Sequence, residues 1–170
     1  MTPGRASLIS QLRRILKGRT SIFGVGNTLR GDDGVGPYFA SLVQDRKGLA
    51  AVDCGDAPER FIGKALRGQP DTVILADAVD FGGIPGEARL LDVALIQSRS
   101  FSTHDISLKL LVDHLTAERK HVLLLAFQPR SMRLGEGLSE DVRRLAFALA
   151  RDTGILPATE NPQCKQRSPS

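Results

Sequence analysis

The stretch Ser21-Ile22-Phe23-Gly24-Val25-Gly26-Asn27-Thr28-Leu29-Arg30-Gly31-Asp32-Asp33-Gly34-Val35-Gly36 passes from an apolar run into a glycine-rich polar loop, and Pro37 then opens a helical pattern. Ser21–Val25 has the character of a strand. The loop behind it delivers two adjacent carboxylates, Asp32 and Asp33, between Gly31 and Gly34. Carboxylates at that place do chemistry or hold a cation. A phosphate cradle there needs backbone N–H groups, a helix N-terminus and a Lys, because like charge repels an anion. The dinucleotide fingerprint also fails by position. Gly24-Val25-Gly26 supplies half of it, but the third glycine falls on Leu29, and no Walker Lys-Ser/Thr pair follows. Asp and Gly are common turn formers, so the pair taken alone reads better as a solvated turn. The rest of the chain has to decide.

Outward from this stretch, element types alternate. Helical spacing of Leu8, Ile9, Leu12, Ile15 and Leu16 gives an amphipathic helix over residues 6–17, with its bases opposite. Helices are expected over Pro37–Arg46 and Pro58–Arg67, and strands over Leu49–Asp53, Thr72–Ala76 and Ala88–Asp92. His104–Glu118 is the best helix, started by Ser102 or Thr103. His121–Phe127 is continuously apolar, as a buried parallel strand should be. Leu138–Asp152 reads as a closing helix capped by Ser139, and the polar, proline-bearing segment 156–170 as a disordered tail. This order implies a three-layer α/β/α sandwich around a mostly parallel sheet, one α/β domain over residues 1–155 with a basic amphipathic helix at 1–18.

Composition bounds the function. With 170 residues, 41% hydrophobic and 25% charged, the chain can bury a full core without disulfides. Cys54 and Cys164 form no C-x-x-C pair, so neither a disulfide framework nor a structural zinc site is expected. The pI near 9.4 invites a nucleic-acid reading. Of 23 bases and 19 acids, however, seven bases and one acid lie in residues 1–20 and 156–170, leaving 16 bases and 18 acids in the body. With no Trp and one Tyr there is no basic, aromatic-interleaved stripe, and no nucleic-acid partner is expected. No run approaches the roughly 20 apolar residues of a membrane span, and the N-terminus lacks a signal-type apolar core. A cytoplasmic location without a membrane partner is expected.

In open α/β sheets ligands bind at the carboxyl ends of the strands, and three polar residues fall there. Asp33 lies in the loop beyond the first strand. Asp77 ends the apolar strand in Leu75-Ala76-Asp77-Ala78-Val79-Asp80, although Asp80 could be the functional member. His104 shares a helix face with Leu108, Leu111 and Leu115, which directs it toward the sheet edge. Each has a plainer alternative: a turn cap for Asp77, a backbone-bonded helix-start histidine for His104. His114 and His121 read as structural, and Cys54 as a small buried residue that could still approach the site. Two carboxylates and an imidazole suit borderline divalent metals held loosely. Neither H-E-x-x-H nor G-x-S-x-G is present.

Gly26-Asn27-Thr28-Leu29-Arg30-Gly31-Asp32-Asp33-Gly34-Val35-Gly36, followed by Asp77-Ala78-Val79-Asp80, Pro85-Gly86-Glu87, Thr103-His104 and Gln128-Pro129, resembles the hydrogenase maturation endopeptidases. The ordered matches span about residues 21 to 152. The resemblance implies removal of a C-terminal extension from a [NiFe] hydrogenase large-subunit precursor once nickel is inserted, by an enzyme classed with the aspartic peptidases. By motif position, Asp33, Asp77 and His104 match the residues that recognise the metal and act in catalysis. The implied nickel is carried by the substrate and met transiently, with no tightly bound cofactor, and the implied partner of a monomeric enzyme is the precursor. A metal-binding or metallochaperone module without cleavage would use the same three residues and stays open beside it.

Overall fold

The computed structural model describes residues 3–45, 47–93 and 105–156. Five strands form one sheet: β1 (Thr20–Val25), β2 (Leu49–Gly55), β3 (Thr72–Ala78), β4 (Ala88–Asp92) and β5 (His121–Phe127), in the order β2-β1-β3-β5-β4. All neighbouring pairs are parallel except β4 with β5, so the three-layer, mostly parallel sandwich expected from the alternation is present. β1, β3 and β5 lie inside the sheet and are buried almost throughout, which is why they read as unbroken apolar runs.

Alternation along β3 separates two cores. Ile74, Ala76 and Ala78 join a cluster with Ile22, Leu125 and Phe127 that is covered by α1 (Pro3–Ile15), α2 (Val35–Ser41) and α5 (Glu140–Thr153). Val73 and Leu75 join the opposite cluster with Phe23 and Leu124, covered by α3 (Ile62–Ala65) and α4 (Asp105–Ala117). The N-terminal helix is part of the first core: Leu8, Ile9, Leu12 and Leu16 are all buried there. Leu156, placed with the tail in the sequence reading, packs against the same cluster, while the rest of that tail lies outside the described residues. No helix among the described residues is long and apolar enough to cross a membrane.

Two helices differ from the sequence expectation. α2 begins at Val35, not Pro37, because a proline is tolerated in the first turn, where its missing N–H would have no intrahelical partner. It ends at Ser41 because Gln44 donates its N–H to the carbonyl of Ile155 instead of continuing the helix. The expected helix Pro58–Arg67 resolves into a 3-10 turn, Pro58–Phe61, and the four-residue α3. The glycines in Gly24-Val25-Gly26 and Val35-Gly36 let α2 come down onto the sheet. A Cβ on Gly36 would stand 2.2 Å from the carbonyl oxygens of both Val25 and Ala76. The helix start is thereby wedged between the ends of β1 and β3.

Candidate active site

The sheet order places β2 on one side of β1 and β3 on the other, so the chain's direction of winding reverses between β1 and β3. Such a switch point opens a crevice at the carboxyl ends of the strands. The two carboxylates singled out from sequence flank it. Asp33 sits in the 3-10 turn Gly31–Gly34 that follows β1 and packs on β3, and it is 1% exposed. Asp77 is the penultimate residue of β3 and is completely buried. Its neighbours Val73 and Leu75 show that its side chain points to the face covered by α4.

The loop between β1 and the 3-10 turn is built to hold Asp33. Gly26 has φ +130°, and a Cβ there would strike the Asp33 carbonyl oxygen at 1.8 Å, so only glycine lets the two backbones meet. Asn27 donates its N–H to Asp33 Oδ2 at 2.9 Å, and its side-chain oxygen accepts the N–H of Leu29 at 2.9 Å, an Asx turn. The motif residues Gly26 and Asn27 thus aim the carboxylate.

Asp32, buried to the same degree, faces another way. Its Oδ2 accepts the N–H groups of Arg130 at 2.7 Å and Ser131 at 3.2 Å and the Ser139 hydroxyl at 2.9 Å, while Oδ1 accepts the Ser139 N–H at 2.7 Å. This clamps the 130–139 loop to the 27–32 loop. Ser139 stands at the N-cap of α5 as expected, but it makes no side-chain capping bond, since its hydroxyl is committed to Asp32. The solvated-turn reading of the Asp pair is thereby corrected: both carboxylates are buried and bonded.

Asp80 is also structural. It is exposed, and its carboxyl is held below the ordinary range by the Gln128 amide and the Gly82 N–H. Gln128, 5% exposed, accepts the N–H groups of Phe81 and Gly83 through Oε1, both at 3.0 Å, and donates to Asp80 through Nε2 at 3.0 Å. The Gln128-Pro129 pair therefore fixes the loop beyond Asp77, a role that sequence reasoning left unassigned. A buried amide directly after an apolar strand was its only local signal.

His104 lies outside the described residues, as do Ser102 and Thr103. α4, which begins at the next residue, covers the face to which Asp77 points. His114 is exposed, and His121 is exposed with Nε2 3.3 Å from Asp92 Oδ2. Cys54 is 3% exposed, and burial, with Asp53 beside it, pushes its thiol up to about 12. It is inert at neutral pH. Among the described residues no group of three His, Cys, Asp or Glu side chains is arranged to hold a metal.

Fold and site define an α/β protein with two buried carboxylates at its switch-point crevice. A family model described as hydrogenase maturation protease, HycI, matches residues 37–150. The hydrogenase 3 maturation protease of Escherichia coli K12 is 33% identical over 108 residues, covering 62% of this chain and 69% of the relative. The crystal structure of the [NiFe] hydrogenase maturation protease HycI from Thermococcus kodakarensis superposes with TM-score 0.76 at 31% identity, covering 86% of this chain and 98% of that one. The hydrogenase maturating endopeptidase HybD from E. coli, at 23% identity and TM-score 0.63 over 81% of this chain and 95% of its own, shares the fold. The chain belongs to the HycI family of hydrogenase maturation proteases, and is therefore a hydrolase acting in hydrogenase maturation.

Proposed function

We propose that this protein is an aspartic-type endopeptidase that removes the C-terminal extension of a [NiFe] hydrogenase large-subunit precursor after nickel insertion. The observation that carries this reading is the pair Asp33 and Asp77, both buried at the carboxyl ends of the adjacent strands β1 and β3, Asp33 in the 3-10 turn after β1 and Asp77 within β3, at the switch-point edge where a polypeptide can be received. With His104 they form an O,O,N set suited to a borderline divalent ion brought by the substrate. Recognition of that ion would set the scissile peptide beside the carboxylates, one of which serves as general base toward the attacking water. We place the reaction in the cytoplasm and the enzyme as a monomer.

The test is incubation of the protein with nickel-loaded and nickel-free precursor, read by intact mass. Only the loaded precursor should shorten. Asp33→Asn, Asp77→Asn and His104→Ala should each abolish shortening while the melting temperature is kept, with His114→Ala as the matched control. Equal cleavage of both precursors, or activity in the triple variant, would overturn the assignment of these three residues. A loaded precursor that is bound but left intact would favour the metallochaperone reading.

A further inference from the structure

Leu29 and Leu134 are 67% and 77% exposed. Single exposed leucines are ordinary on protein surfaces. These two differ in where they are held. The loops that carry them are zipped by backbone bonds: Gly135 donates its N–H to the Leu29 carbonyl at 2.8 Å, Gly31 to Glu136 at 2.9 Å and Asp32 to Ser131 at 2.8 Å. The buried Asp32 carboxylate locks the same loops from beneath through its four hydrogen bonds. The result is a rigid platform joined by one peptide bond to Asp33.

The charges on the platform are sorted. Arg130 is paired with Asp141, and Glu136 accepts the Ser131 hydroxyl. Arg30 and Arg133, flanking the two leucines in sequence, are exposed and have no ion-pair partner among the described residues. Two free cations beside two exposed apolar side chains favour a partner that offers acidic residues interleaved with apolar ones. Rigidity lowers the ordering cost of receiving such a segment.

We propose that Leu29, Arg30, Arg133 and Leu134 form the docking surface for an acidic, apolar segment of the precursor polypeptide, fixing its register relative to Asp33. This rests on the precursor reading above and deepens it. The residues would bind and position the chain without touching the reacting atoms.

The experiment uses the full chain and three variants: Leu29→Asp with Leu134→Asp, Arg30→Glu with Arg133→Glu, and the control Leu110→Asp, an exposed leucine on α4. Binding of nickel-free precursor, which is not cleaved under that reading, is measured beside steady-state cleavage of the loaded form, after melting curves have shown that each variant folds. Leu29→Asp with Leu134→Asp should raise Kd and KM about tenfold or more with kcat unchanged. Arg30→Glu with Arg133→Glu should weaken binding at low salt, the deficit narrowing as ionic strength rises. Leu110→Asp should bind like the parent. If the parent binds the precursor but leaves even the nickel-loaded form uncleaved, while the leucine variant loses binding, the platform stands and the peptidase reading fails. Unchanged Kd and KM in the leucine variant, tighter binding by the glutamate variant, or no binding of precursor by the parent would each overturn the platform.

Discussion

At Asp32 and Asp33, two neighbouring carboxylates with equal burial serve different ends because their hydrogen-bond partners differ. Asp32 satisfies four donors on a loop about a hundred residues away in sequence, whereas Asp33 accepts the local N–H of Asn27. Asp32→Ala should therefore strand buried donors and destabilise the fold by about 3 kcal/mol. In a domain of this size that lowers the melting temperature by roughly 10 °C. Asp33→Asn keeps an acceptor for Asn27 and should melt near the parent temperature while losing activity. Thermal melting of the two variants by circular dichroism checks this, and an Asp32→Ala protein as stable as the parent would show that the clamp carries no stability. Asp33 and Asp77 were legible in the sequence because each follows an apolar strand run, which locates it at the carboxyl edge. The task of Asp32 was not, since no local pattern announces that Arg130, Ser131 and Ser139 will arrive above it.

Among the elements, α1 commits a whole apolar face to the first core. Its residues Leu8, Ile9 and Leu12, with Leu16 just beyond its end, are each at most 8% exposed. Its polar side is tied to the end of α5, with Arg5 paired to Asp152 at 3.1 Å and Arg13 donating to the Asp152 carbonyl at 2.8 Å. At about 2 kcal/mol for each buried aliphatic side chain, removal of residues 1–18 forfeits roughly 8 kcal/mol. That rivals the whole stability of a typical domain. The truncated protein should be insoluble or molten, with a lost cooperative transition in urea; a sharp transition near the parent midpoint would contradict the packing. The amphipathic spacing showed that this helix exists and has an apolar side. It could not show what covers that side, because α5 enters only at the far end of the chain. The short α3 was misjudged for a related reason: the apolar residues of Pro58–Arg67 suit a helix, but the local backbone turns as 3-10 before α3 can start.

For the whole molecule, stability should form a dome in pH with both limbs assignable. The carboxyls of Asp80, Asp152, Glu140 and Asp71 are held below their ordinary values by hydrogen bonds, from Gln128, Arg151, Arg143 and Arg19 first among their causes. Their contribution is present above the unfolded carboxyl range of about 4 and is lost as pH falls through the lower folded values. On the alkaline side, Cys54 stays protonated in the fold up to about 12, whereas the unfolded thiol ionises near its ordinary value of 9.0. The folded state therefore loses ground as pH rises past that value. Melting temperatures from pH 3 to pH 10.5 should fall at both ends, and Cys54→Ala should flatten the alkaline limb alone; an unchanged alkaline slope would contradict the burial of the thiol. The join of α1 to α5 also sets a timetable for synthesis. The Arg13 to Asp152 contact spans 139 residues. At a ribosomal rate of about 5–20 residues per second, the apolar side of α1 waits on the order of ten seconds for its last helical neighbour. A nascent chain with this fold has its first helix ready early and its first core incomplete until α5 emerges, the interval in which a chaperone has the most apolar surface to hold.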